Sequence, residues 1–150
     1  MVDELMREFA VGAGILGNLS AVYLYAYAGL QIPVGICIDK FGLKGLVAGA
    51  CGVCGIGCIV FSYAESVSFA YLGRALIGAG AAFSFVGALN MAARWFPNKF
   101  AILGGWAQMM GSAGGFMGQA PLGLAVATFG WRSSNVVLGV AGILLAVLLA

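Results

Sequence analysis

A chain of 150 residues with 63% hydrophobic and only 8% charged side chains cannot cover a globular surface with polar groups, because a soluble domain carries about a quarter charged residues. Its mean hydropathy of +1.06 suits a bilayer instead, where about 20 residues per span leave room for five or six helices. A net charge of +2 on scattered basic residues argues against nucleic acid as a partner, and the absence of histidine removes the commonest general base and metal ligand.

The chain opens on Met1–Phe9, an acidic amphipathic stretch without the basic start and short apolar core of a signal peptide. Five apolar blocks follow, at about 14–38, 46–64, 69–93, 101–129 and 135–150. They are continuous rather than alternating and rich in Ala, Gly and Leu, which predicts transmembrane helices and not strands. The expected fold class is therefore an all-α membrane protein, a polytopic helical bundle.

In the first block Tyr23, Tyr27 and Gln31 recur at helical spacing and share one face, while Tyr25 lies off it. Two readings stand for this stripe: the lining of a polar path, or an interfacial and packing cluster of tyrosines. Gln31 is harder to place in lipid, since an amide at mid-membrane wants a partner or water. Pro33 falls inside the helix, where a lost backbone bond favours a kink. The block ends at Gly35-Ile-Cys-Ile-Asp39-Lys40-Phe-Gly42-Leu-Lys44. Gly42 suits a tight turn, and Lys40 and Lys44 suit a helix C-terminus and an anionic leaflet.

The second block holds Cys51, Cys54 and Cys58, and Cys37 lies in the first. A thiolate in so apolar a run would be poorly solvated and no histidine or acid accompanies it, so these cysteines read as small packing residues. No metal site and no cofactor is expected. Arg74, in the third block, would cost about 2.5–3.5 kcal/mol at mid-span. Lying a turn or two inside the end of its block, it either snorkels to the interface or faces a polar cavity. Asn90, Gln108 and Gln119 are weaker candidates for the same cavity. The fourth block carries Gly111, Gly115 and Gly118 within overlapping small-residue spacings, plus Pro121, and the second opens on Gly45-x-x-x-Gly49; such spacings let helix backbones approach closely.

Basic residues set the orientation. Lys40, Lys44, Arg94 and Lys99 fall after the first and third blocks, against Arg7 and Arg132 on the other side. The N-terminus is expected outside and Ala150 toward the cytoplasm, in the cell (inner or plasma) membrane.

The Gly35-to-Lys44 segment resembles the signature loop between helices 2 and 3 of the major facilitator superfamily. Arg74-Ala-Leu-Ile-Gly78-Ala-Gly80-Ala81 is similar to that family's helix 4 motif, with Ile77 where the family has Gln. Gly111-Ser-Ala-Gly-Gly115-Phe-Met-Gly118-Gln-Ala-Pro121 resembles its glycine-rich helix 5, without the strict Gly-Pro and closing Gly-Gly of the antiporter version. Phe129-Gly130-Trp131-Arg132 resembles the turn into helix 6.

This resemblance implies an N-terminal half lacking its first helix, with Met1–Phe9 as the external loop after helix 1. It implies secondary transport of a small molecule by alternating access, with a proton or ion as possible coupling partner, and no enzyme. Asp39 would face the positive end of a helix in the other half, and the chain would need helix 1 and the C-terminal half to transport. The residues before the signature loop suggest organic anions, amino acids or dipeptides as substrates. The alternative is a non-transporting scaffold or assembly subunit. An intramembrane enzyme lacks a nucleophile–base pair or paired acids in the sequence.

Overall fold

The computed structural model describes residues 6 and 11–150, apart from the side chains at 13, 16 and 117–120. The expectation placed on Met1–Phe9 lies outside the described residues, save for residue 6. Five long helices follow one another: α1 (Ala13–Phe41), α2 (Leu43–Ser62), α3 (Val67–Trp95), α4 (Phe100–Phe129) and α5 (Trp131–Leu149), with a 3₁₀ turn at Pro97–Lys99. Among the described residues, the segments Gly17–Phe41, Leu43–Ser62, Val67–Trp95 and Trp131–Leu149 are long and apolar enough to cross a membrane. This is the expected polytopic helical bundle.

The boundaries have local causes. α1 passes into α2, and α4 into α5, through a single glycine: Gly42 at φ +83° and Gly130 at φ +81°. Each glycine N–H still bonds back to the carbonyl four residues earlier, Ile38 at 3.1 Å and Val126 at 2.9 Å, so each closes the preceding helix as it turns. α3 stops at Trp95 because Pro97 cannot continue a helix and pushes Phe96 out of the helical region, to φ −137°. Pro33 and Pro121 lie inside helices that run on past them.

α3 packs along both α1 and α2, and α2 packs along α5, whereas α4 leans only lightly on α3 and α5. The central contacts are made through small residues. A Cβ at Gly55 would stand 2.7 Å from the Gly139 carbonyl oxygen, and one at Gly73 would stand 2.7 Å from the Phe61 nitrogen. At Gly78 it would overlap the carbonyl oxygen of Tyr23. Lipid supplies no hydrophobic drive between helices, so this close approach is what gains dispersion contacts. The expected small-residue pairs lie elsewhere: Gly45, Gly49, Gly111 and Gly115 have no atom within 4 Å of a built Cβ. Spacing identified helices able to pack closely, but the contacting faces are set by which partner each helix meets.

Two buried clusters sit toward opposite ends of α2. One gathers Leu19, Phe61, Ala70, Val126 and Trp131; the other gathers Val34, Ile38 and Ala82. The exterior is apolar: Ile32 is 77% exposed, Phe116 80% and Leu148 81%. In water such a surface would aggregate. In a bilayer it is solvated.

Candidate functional site

α1 and α4 do not pack backbone against backbone among the described residues, and a cavity of about 630 Å³ lies between them beside α3. α1 contributes Tyr23 and Tyr27, α3 contributes Ser84 and Phe85, and α4 contributes Gln108 and Ser112. Tyr23 and Tyr27, one turn apart, stack with centroids 6.2 Å apart and planes 17° from parallel. Tyr25 points away and is 75% exposed. The cavity combines aromatic faces, hydroxyls and an amide, a set suited to a small polar solute.

Arg74 lies half-buried on α3. Its guanidinium carbon is 4.7 Å from the centre of the Phe61 ring, and Tyr23 and Cys58 lie within its electrostatic reach. Its Nε is buried with no hydrogen-bond partner among the described residues. A guanidinium with an unsatisfied buried donor is costly, and an anion would relieve that cost. Arg74 does not line the cavity itself; Tyr23 connects the two, lining one and neighbouring the other.

A second polar cluster lies at the end of α1. Asp39 accepts a 2.9 Å hydrogen bond and ion pair from Arg94 and a 3.1 Å bond from the Asn90 amide. Asn90, grouped with the path residues on sequence grounds, thus lies with the signature residues, and it does not line the cavity. Arg94 was legible only as a loop charge; its place one turn after Asn90, on the face opposite Asp39, was the available signal. Gly35 faces Val86 of α3 without crowding, since a built Cβ there would make ordinary contact with that side chain at 4.0 Å. Lys40 is exposed, and Lys44 borders a separate groove between α2, α3 and α5.

Gln31 is half-buried and lies outside the cavity lining. Gly111 joins the cavity wall, and Gly115 faces open space. The side chains at Gly118 and Gln119 lie outside the described residues. The four cysteines are free thiols, and Cys54 Sγ donates to the Ile77 carbonyl at 3.4 Å, packing α2 on α3.

At the other end of α2, Arg132 donates from Nη1 to the Ser62 carbonyl at 2.9 Å and from Nη2 to the Ala64 carbonyl at 3.1 Å. Ser62 Oγ donates back to the Arg132 carbonyl at 2.6 Å, and Phe61 meets Trp131 edge-on at 5.5 Å. This clamp ties the free carbonyls at the end of α2 to the start of α5.

Helices of this length, apolar on the outside and flanking a partly polar cavity, define a multi-pass helical membrane protein. The chain belongs to the Major Facilitator Superfamily, whose family model matches residues 1–150. It is 28% identical to a probable galactarate/D-glucarate transporter of Bacillus subtilis, over 97% of this chain and 34% of that protein. It is likewise 28% identical to an uncharacterised transporter of the same organism, over 93% of this chain and 32% of the relative. Monocarboxylate transporter 4 of Mus musculus is 30% identical over 91% of this chain and 29% of its own length. The chain thus spans about a third of the length of these curated relatives.

Proposed function

We propose that this chain forms part of the translocation path of a secondary transporter that moves a small carboxylate-bearing anion by alternating access. The observation that carries the reading is Arg74, a guanidinium inside the bundle with a buried Nε lacking a partner among the described residues. A fixed cation beside Tyr23 and a cavity of hydroxyl and amide groups is the chemistry that would recognise a carboxylate. The names of two relatives, which refer to sugar-acid and monocarboxylate transport, support the same class. Gln31 and Gln119 are proposed as further polar groups along the path, and the path is completed by helices beyond the five described.

Asp39 and its partners are proposed as the latch that holds one end closed, with Gly35 and Gly42 shaping the turn and Lys40 and Lys44 marking the cytoplasmic face. Breaking the Arg94–Asp39 pair would free the carboxylate for a helix of the opposing half.

The test is gradient-driven uptake into proteoliposomes holding this chain together with the helices that complete the path, using sugar acids, short monocarboxylates, amino acids and dipeptides under proton and sodium gradients. Carboxylate uptake is expected, reduced at least about tenfold by Arg74→Gln, the scale of one lost charge-assisted contact, and less by Arg74→Lys. Uptake confined to neutral solutes, or untouched by Arg74→Gln, would overturn the substrate class. No flux under any gradient would favour a non-transporting assembly subunit.

A further inference from the structure

The groove beside Lys44 is separate from the cavity assigned to transport. It encloses about 360 Å³ between the start of α2 and the ends of α3 and α5. Its apolar lining is formed by Leu43, Val47, Met91 and Leu149, and Lys44, Asn90 and Arg94, with Trp95, supply the polar part of its rim. Among the described residues, no acidic side chain lines it.

Three observations together point to one occupant. The first is depth. Lys44 is the second residue of α2 and Trp95 the last of α3, so the rim lies where membrane-crossing segments meet water. The Trp95 ring, 73% exposed, is the kind of side chain that settles at headgroup level. The second is charge: two cations line one groove, and Arg94 gives Asp39 one hydrogen bond while its guanidinium carries five N–H donors. The third is the apolar lining, which a free inorganic anion would leave uncovered and a hydrocarbon chain would cover.

We propose that this groove binds one anionic phospholipid, with its phosphate between Lys44 and Arg94 and an acyl chain lying along Val47 and Met91. A basic pocket between transmembrane helices at a membrane face is the setting in which such headgroups are held. The site is independent of the transport reading. It does touch the latch, because a phosphate on Arg94 competes with Asp39 for the same guanidinium.

Native mass spectrometry on protein taken from phosphatidylcholine bilayers doped with phosphatidylglycerol reads the site directly. One phosphatidylglycerol per chain is expected to be retained in preference to phosphatidylcholine. Lys44→Gln and Arg94→Gln should each weaken retention about fivefold, the worth of one basic residue at an anionic surface. Val47→Trp fills the groove and leaves both charges in place, so it should abolish selective retention. Equal retention of the two lipids, or retention indifferent to both Lys44→Gln and Val47→Trp, overturns the proposal. Displacement of the lipid by inorganic phosphate at millimolar concentration would also overturn it, reassigning the rim to a free anion. Circular dichroism of each variant checks folding, and Lys44→Gln, at an exposed position in the first turn of α2, keeps the test available if a groove-filling variant fails to fold.

Discussion

Gly42 and Gly130 adopt φ near +80° with ψ of 164° and 159°, a region that essentially only glycine visits. Nothing lies within 4 Å of a built Cβ at either position, so the demand is conformational and not steric crowding. Gly42→Ala and Gly130→Ala are each expected to lower stability by about 1–3 kcal/mol, read as an earlier unfolding midpoint in detergent. An unchanged midpoint would mean that the chain turns another way. Asp39 makes the opposite case. Its pair with Arg94 is exposed on both sides, 54% for the arginine and 65% for the acid, and exposed pairs contribute little to stability. Asp39→Ala is therefore expected to leave the unfolding midpoint in place while reducing transport flux. A large fall in the midpoint would recast Asp39 as a structural residue.

At the scale of helices, α3 is the element on which the bundle depends, since α1 and α2 meet each other little and both pack on it. A Cβ at Gly80 would stand 2.6 Å from the Ala50 carbonyl oxygen and 3.0 Å from Cys54, and backbone cannot yield as a side-chain tip can. Gly80→Val is expected to cost about 1–3 kcal/mol or more through overpacking. Gly49→Val, on the open side of α2, should cost far less; comparing detergent unfolding of the two variants checks the assignment of faces. The same contrast explains what was legible in the sequence. Five helices followed from apolar blocks, yet the helices outrun the blocks: α1 continues through Asp39 to Phe41, and α5 starts at Trp131 and not near Asn135. Hydropathy marks the lipid slab, whereas helices extend into the headgroup region on either side. Residues such as Gly45 and Gly111 have the right spacing for close packing, but spacing carries no information about the partner. Pairing of Asn90 and Arg94 with Asp39 joins segments more than fifty positions apart in the chain, which no local pattern encodes.

The whole molecule is built around a repeated turn. Gln31-x-Pro33-x-Gly35 followed by Phe41-Gly42 recurs in register as Gln119-x-Pro121-x-Gly123 followed by Phe129-Gly130, with a basic residue, Lys44 or Arg132, two positions after each turn glycine. The two turns lie at opposite ends of α2: Gly42 precedes its first residue, and Arg132 clamps the carbonyls of Ser62 and Ala64 at its other end. The first turn alone carries an acid, Asp39, where the second has Ala127. One end of α2 thus lies beside a breakable charged pair, the other is held by hydrogen bonds to backbone. Removing the clamp with Arg132→Met strands two carbonyls, and should cost about 1–3 kcal/mol, seen as faster hydrogen exchange at the end of α2 than in the parent. Between these ends, water should reach the cavity and not the outer surface. That division can be read by thiol labelling of the membrane-embedded chain with Cys37, Cys51, Cys54 and Cys58 replaced by alanine. Ser84→Cys and Ser112→Cys, on the cavity wall, are expected to react with a membrane-impermeant reagent at least about tenfold faster than Leu144→Cys. Leu144 is 59% exposed on α5 and would face lipid, where the reactive thiolate is not formed. Equal slow labelling at all three positions would mean that another helix fills the space between α1 and α4, and that no water-filled path passes Tyr23 and Tyr27.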